Sequence, residues 1–496
     1  MKIVLKYLVV ILLLNFNHSK AQCNFNIDSL ISDKTQLDYG NKVMQDNNGN
    51  FIICGNARDY SGSNDLGYLV KTTSKGDTIW RKKFDFTANS DIFKDIKEMP
   101  DKSYIVLGTS SSTVGISNTF ISNVDTNGTL VWYKQFTYPE YETANQIQVT
   151  SDNKLVILGY SKIYTQSTGD ISLIKTDTSG NLIWRKIIGS PTLDENYSSL
   201  QVINNNTTYL IGGTERPTSK YNIAVTKLDT AGNVIWNKLN GNGSQDFYGN
   251  SICQTFDKGY LIGGKANTQG RLWKLDSTGT IQWSNSYGLN TFTIIKEVKQ
   301  LTDSNLIFIS NDNYLHSSSN SIKAGVMDKI DINGNLLWEK FYKRPSVGQQ
   351  VVGINGFSVT KDYGFVITGS VVNTLGVPYT NLWLIKTDSL GNDSSNCSIY
   401  IGVKELDKEK VKVTLYPNPN KGIFKLLINN IVNKDEIISI SIYDILGQTI
   451  DYKKLYSNTG VNLFDIEPET LCEGIYFIKL TQNNKDIWQS KFIVEK

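Results

Sequence analysis

Asp177-Thr178-Ser179-Gly180-Asn181-Leu182-Ile183-Trp184 is one copy of a phrase to which the chain keeps returning. The form is Asp-x-x-Gly-Asn/Thr-x-apolar-Trp, and it recurs at 125–132, 229–236, 276–283 (with Gln282 at the apolar place) and 331–338. An earlier copy at 73–80 opens on Thr73 instead of aspartate, and a last turn at 388–392 lacks the tryptophan. The turn glycines stand at 76, 128, 180, 232, 279, 334 and 391, in steps of 52, 52, 52, 47, 55 and 57 residues. A second phrase keeps the same beat, clearest in Asp257-Lys258-Gly259-Tyr260-Leu261-Ile262-Gly263-Gly264 and Asp362-Tyr363-Gly364-Phe365-Val366-Ile367-Thr368-Gly369. Its other copies begin at Asn48, Asp101, Asp152, Asn206 and Asp303, which again makes seven.

Each unit carries four short β-type runs: the Trp strand, a middle strand such as 249–254, the Tyr-Leu-Ile strand, and a run into Lys-x-Asp. Gly/Asn/Asp clusters separate them, as hairpin turns require. Four strands per unit of about 50 residues, without helical periodicity, predict propeller blades. A lone blade exposes both faces, so neighbours must cover it, with repeated Trp and Tyr filling the gaps. The expected fold is all-β: a seven-bladed β-propeller over 22–400.

The repeated aspartates admit two readings. Asn123-Val124-Asp125-Thr126-Asn127-Gly128 looks like the start of a calcium loop. Its twelfth position is Lys134, where an EF-hand needs glutamate. Asp opening a turn closed by a left-handed Gly explains the pattern, and the turn role is the one expected.

Ring closure can be placed by the same frame. Trp80 lies 11 residues before Asp91, Trp184 lies 11 before Glu195, and Ile27 lies 11 before Asp38. Phe25-Asn26-Ile27 therefore reads as a degenerate first Trp strand with Ile27 at the Trp place, and Cys23 falls on the turn-glycine position. Cys397 lies just past Gly391, so both cysteines fall where the first and last blades meet. A Cys23–Cys397 disulfide is expected there, stabilising by roughly 2–4 kcal/mol. Cys54 and Cys253 sit in predicted strands and read as small buried hydrophobes.

The N-terminus has two lysines, Lys2 and Lys6, an apolar run over 7–14 and a Ser19-Lys20-Ala21 ending. That is the pattern of a secretory signal peptide over 1–21, cleaved after Ala21. A lipid anchor on Cys23 is the competing reading, disfavoured by Gln22 where a small residue is needed. Lys+Arg 50 against Asp+Glu 47 gives a net charge of +3, which provides no electrostatic case for nucleic acid. Of two histidines, His18 leaves with the signal peptide, and His316 alone cannot build a multi-histidine metal site. His316 reads as an exposed loop residue. No metal or cofactor is expected; a quinone-cofactor reading would draw only on the tryptophan repeat.

Composition shifts after Ile401. Lys404-Glu405-Leu406-Asp407-Lys408-Glu409-Lys410 suits an exposed linker over 401–413. Tyr416-Pro417-Asn418-Pro419 with Gly422 follows, then Ile442-Tyr443-Asp444-Ile445-Leu446-Gly447 and Gly474-Ile475-Tyr476-Phe477-Ile478-Lys479. The chain ends on Lys491-Phe492-Ile493-Val494-Glu495-Lys496. Four motifs in this order over about 80 residues resemble the type A C-terminal sorting domain of the type IX secretion system, a small Ig-like β-sandwich over 414–496. The resemblance implies a Gram-negative bacterium and the secretion machinery as partner. It also implies proteolytic loss of the domain, with release or attachment to surface lipopolysaccharide.

The propeller's task is less legible. A non-catalytic binding or adhesion module, monomeric and presenting loops to a glycan or protein, is the first expectation. The alternative is a polysaccharide-active glycosidase or lyase, which needs a carboxylate pair. Asp95, Glu142, Glu195 and Asp246 are available, but most lie near the repeated strand start, and a catalytic pair should break the repeat. No catalytic residue is assigned.

Overall fold

The computed structural model describes residues 25–27, 36–59, 62, 64–87, 90–111, 116–163, 168–190, 193–203, 208–217, 219–288, 293–315, 321–342, 350–373, 379–393, 412–431, 437–444, 449–456, 460–468, 471–482 and 485–495. Two compact units divide it, 1–397 and 398–496. Every regular element among the described residues is a strand.

The first unit is a seven-bladed β-propeller. Blade 1 runs Gln36–Gln45, Phe51–Asp59, Leu66–Thr72, Thr78–Phe84, and the next five four-stranded sheets repeat that order. The first strands of adjacent blades pack on one another and are innermost. In blade order they are Gln36–Gln45, Ser90–Glu98, Tyr141–Val149, Glu195–Ile203, Phe247–Gln254, Ile294–Gln300 and Gln350–Val359. The Trp strands are outermost, which is why the apolar residues just before each tryptophan are exposed, as at Leu182 and Ile183.

Blade 7 takes its fourth strand from the other end of the chain. Phe25–Ile27 pairs antiparallel with Tyr379–Thr387, in the register Phe25↔Lys386 and Ile27↔Leu384. This corrects the frame read from spacing. Trp80 faces Lys71 and Trp184 faces Lys175, so Phe25, not Ile27, occupies the Trp place. Spacing missed the two-residue offset because the segment between this strand and the first inner strand is of its own length. Cys23 and Cys397 lie outside the described residues, as do the 1–21 segment, His316 and most of the 401–413 stretch.

Both repeated phrases have a packing reason. Asp177 Oδ1 accepts the backbone N–H groups of Ser179 and Asn181 at 2.9 and 2.8 Å, and Asp125 does the same with Asn127 and Thr129. The aspartates are turn formers. Gly180 has φ +78°, and a Cβ there would lie 2.9 Å from Cζ3 of Trp132 in the preceding blade. From Gly128 to Gly391, turn glycine and tryptophan therefore recur together because the glycine lets its turn settle on the indole of the preceding blade. The glycine ending the second phrase answers a different crowding. A Cβ at Gly159 would lie 2.4 Å from the carbonyl oxygen of Thr143, beside a bulge in the inner strand.

Cys54 and Cys253 are buried free thiols. Burial pushes the Cys253 thiol up to about 12, so neither the environment nor the ionisation favours reactivity.

The second unit is a sandwich of a three-stranded sheet (Lys412–Tyr416, Phe424–Ile431, Gly460–Ile466) and a four-stranded one (Ile437–Tyr443, Thr449–Tyr456, Gly474–Gln482, Lys485–Val494). Alternating residues such as Leu426, Ile428, Ile440, Ile442, Leu480 and Phe492 form its core.

Candidate binding site in the central channel

Every inner strand carries a β-bulge at the same level. The register slips at Asn41, Lys94, Asn145, Ser198, Asn250, Lys296 and Asn355, one per blade. A bulge adds one unpaired residue and re-aims its side chain. Lys94, Asn145, Ser198, Asn250, Lys296 and Asn355 all line one cavity of about 190 Å³.

Five of the bulge residues sew a blade to the next. Asn41 Nδ2 donates to the Phe93 carbonyl at 2.8 Å and Asn145 Nδ2 to that of Tyr197 at 2.7 Å. Ser198 Oγ donates to the Asn250 carbonyl at 2.8 Å, and Asn250 Nδ2 to that of Ile295 at 3.0 Å. Asn355 Nδ2 closes the ring on the Gly40 carbonyl at 2.9 Å. Lys94 and Lys296 break the pattern. Among the described residues neither has a hydrogen bond or an ion pair. Other side chains hold their seams. Asn311 Nδ2 donates to the Ile354 carbonyl at 3.0 Å, and Thr109 Oγ1 accepts Ala144 N–H at 2.9 Å.

A second tier sits one residue on. Asp95 Oδ2 accepts Ile147 N–H at 3.1 Å, Gln146 Oε1 accepts Leu200 N–H at 2.6 Å, and Ser199 Oγ accepts Ile252 N–H at 3.0 Å. Ser251 Oγ accepts Val298 N–H at 3.2 Å, and Glu297 Oε2 accepts Phe357 N–H at 3.2 Å. Glu297 also takes two ammonium groups, Lys42 at 2.9 Å and Lys299 at 3.2 Å. Burial pushes its carboxyl upward, but those lysines outweigh it and hold the group at about 2.

The four carboxylates with catalytic potential in the sequence do not converge. Asp95 belongs to the second tier and pairs with Lys97 at 3.2 Å. Glu142 takes the Arg185 guanidinium and accepts Ser172 Oγ at 3.0 Å. Glu195 accepts Ser190 N–H at 3.0 Å, tying down the connection from the outer strand before it. Asp91 plays the same part for Phe86 N–H at 2.8 Å. Burial, with Glu215, Asp170 and Asp194 nearby, raises Glu195 to about 7 against the pull of that N–H. Asp246 is partly exposed, accepting Tyr221 N–H at 3.0 Å and meeting Lys220 at 3.3 Å.

In the second unit the motif residues gather at one end of the sandwich. Tyr416 ends a strand, and after Pro417 the Asn418 side chain accepts Ile493 N–H at 2.8 Å and donates to the Lys491 carbonyl at 3.4 Å. Beyond Pro419, Asn420 exchanges backbone bonds with Ile493 and Glu495 at 2.9 and 2.8 Å. Gly422, at φ +92°, donates its N–H to Asn420 Oδ1 at 2.7 Å. Gly474 opens the strand in which Tyr476 stacks on Phe492 at 5.7 Å. Tyr443 and Asp444 lie elsewhere, at the end of Ile437–Tyr443, and Gly447 is outside the described residues.

These features define an all-β architecture, a seven-bladed ring followed in the chain by a sandwich whose first motif is pinned to its last strand. Residues 414–495 match the family described as "Secretion system C-terminal sorting domain". That segment is a type IX sorting domain, and the protein is exported to the surface or exterior of a Gram-negative, Bacteroidetes-type cell, with the type IX machinery as its partner. No curated protein matches the chain. Among solved structures, a protein of unknown function from Dyadobacter fermentans is similar at 8% identity and TM-score 0.43, over 74% of this chain and 98% of that one. A Penicillium chrysogenum alpha-L-arabinanase complexed with arabinobiose is similar at 12% identity and TM-score 0.42, over 63% and 99%. A Fusarium graminearum alpha-L-arabinofuranosidase shows 11% identity and TM-score 0.36, over 73% and 97%. Likeness at this level says nothing of activity.

Proposed function

We propose that the propeller is a non-catalytic binding or adhesion module, delivered by its sorting domain and working as a monomer outside the cell. Residues 1–21 serve as the signal peptide and 401–413 as the tether from which the sorting domain is cut. The mature ring is then released or attached to surface lipopolysaccharide, and its ligand is a glycan or protein.

The observation that carries the reading is the use of the carboxylates. Asp95, Glu142 and Glu195 each hold a backbone N–H or a half-buried cation that the ring needs for its own assembly. A glycosidase needs one carboxylic acid and one carboxylate facing the same bond. The channel presents amides, hydroxyls and ammonium groups, and its two carboxylates, Asp95 and Glu297, are both held by lysines, a lining that suits polar recognition. A glycan array probed with the secreted chain, run beside a polysaccharide hydrolysis screen, tests this. Array binding without hydrolysis is the expected result; turnover in the screen would establish the polysaccharide-active alternative.

A further inference from the structure

Lys94 and Lys296 are the only two members of the bulge ring that do not sew blades together. They stand in blades 2 and 6, with blades 7 and 1 between them on one side and blades 3, 4 and 5 on the other, so they face each other across the channel. Four lysines line the cavity, Lys42, Lys94, Lys296 and Lys299, against two carboxylates, Asp95 and Glu297. Lys42 and Lys299 are spent on Glu297, and Asp95 is taken by Lys97 from the same strand. The two bulge lysines are therefore left without a partner carboxylate, and because Lys42 and Lys299 share the single charge of Glu297 the lining as a whole is positive.

An ammonium group drawn out of water without a partner costs stability. Burial lowers the pKa of both, with Asp65 opposing it at Lys94 and Lys265 adding to it at Lys296. Asn at these two places would restore the ring, as it does in blades 1, 3, 5 and 7. Local departures from a fold's own rule, made at a cost, mark functional positions.

We propose that the channel holds an anionic group, a carboxylate or sulfate borne by a small ligand, between the Lys94 and Lys296 ammonium groups. The amides of Asn145 and Asn250 each keep a second N–H for it, since one N–H of each is committed to the neighbouring blade. At about 190 Å³ the cavity is below the ~300–1,000 Å³ of pockets that enclose whole drug-sized ligands. It takes one charged group or the acidic end of a longer saccharide. The assignment rests on the propeller being a binding module and specifies what that module recognises.

The test is calorimetric titration of the full secreted chain with sodium glucuronate, sodium sulfate and glucose at constant ionic strength. Glucuronate or sulfate should bind and glucose should not; a preference for glucuronate identifies a uronic-acid source, a preference for sulfate a sulfated one. Lys94→Met and Lys296→Met should each weaken binding at least about tenfold, and the double variant should abolish it. Thermal melts without ligand guard against misfolding, because the variants should melt at or above the wild type. Anion binding that survives in the double variant, or no anion binding at all, overturns the assignment. An array ligand indifferent to both lysines leaves the binding-module reading standing without it, whereas silence in both assays removes both.

Discussion

Asn355 donates its Nδ2 to the carbonyl of Gly40 at 2.9 Å across a chain separation of 315 residues. The bond is chemically the same as the one from Asn41 to Phe93 in the first interior seam. Closure of the ring therefore uses the same parts as its interior seams, with one addition. The strand Phe25–Ile27 completes blade 7, and Leu37 also bridges to Thr380 in parallel. The last seam is thus held by residues from both ends of the propeller.

The extra strand leads to the covalent prediction. Cys23 lies two residues before Phe25, whose backbone pairs with Lys386, and Cys397 lies 11 residues past Lys386. A Cys23–Cys397 disulfide should be recovered by peptide mapping under non-reducing conditions, and reduction should lower the melting temperature by an amount equivalent to about 2–4 kcal/mol. Recovery of both as free thiols would refute it.

Turn glycines test the seam between blades. At Gly180 a Cβ meets both a positive φ of +78° and the Trp132 ring at 2.9 Å. Gly180→Ala should destabilise the propeller by about 1–3 kcal/mol in denaturant melts. Asp177→Ala removes only the turn's side-chain acceptor and should cost about 1 kcal/mol. Equal losses from the two would mean that the indole contact is not what fixes the glycine.

Glu297 and Glu195 should respond to pH in opposite senses. Glu297 is held at about 2 against an ordinary value of 4.5, so its stabilisation is present above 4.5 and lost as pH falls toward 2. Glu297→Gln should cost about 1–3 kcal/mol at pH 7, leaving Lys42 and Lys299 without their carboxylate, and the gap should close in acid.

Glu195 is raised to about 7, so its ionisation costs folding free energy that sets in as pH rises from about 4.5 to 7. Glu195→Gln keeps an oxygen for Ser190 N–H and should raise stability by about 1–2 kcal/mol at pH 8, with no difference at pH 4. Melts from pH 8 down to about 2 read both variants, and parallel curves for variant and wild type, below 4.5 for Glu297→Gln or between 4 and 8 for Glu195→Gln, would show the assigned ionisations to be wrong.

Much of the ring was legible because it repeats. The seven turn glycines and the Tyr-Leu-Ile phrase give the blade number and the four strands directly. Burial was harder to read. Leu182 and Ile183 look like core residues, yet they are exposed because they lie on the outermost strand. The bulge level was hidden for a different reason. Asn41, Lys94 and Asn145 share a column only once strand pairing shows which residue is extra, and a bulge leaves no mark in composition. Given that column, two lysines among asparagines and a serine stand out at once. The carboxylates stayed open in the sequence because an acid at a strand start looks alike whether it serves chemistry or, like Glu195, accepts an N–H from the preceding loop.

The sorting domain makes the last prediction. Its first motif and its last strand are nearly 80 residues apart in sequence, and Asn418 joins them by accepting Ile493 N–H and donating to the Lys491 carbonyl. Asn420 continues the connection on the backbone of Ile493 and Glu495. Asn418→Ala removes the side-chain acceptor of the Ile493 N–H at this exposed end, where water can take its place, so the cost should be only about 0.5–1 kcal/mol. The core of the sandwich, with Phe492 and Val494 inside it, is untouched, so the domain should still fold. What changes is how firmly the 491–495 strand end is presented beside the Tyr416–Pro419 turn. If the export machinery reads that end, Asn418→Ala should shift the protein from the surface and medium to the periplasm several-fold in a quantitative immunoblot of cell fractions. Asn462→Ala, in the strand Gly460–Ile466 at the level of Ile428 and away from this end, serves as the comparison, with the stability loss of both variants measured by thermal melts. Export lost equally in both variants would point to domain stability alone as the determinant, and export unchanged in Asn418→Ala would remove this joint from the recognition surface.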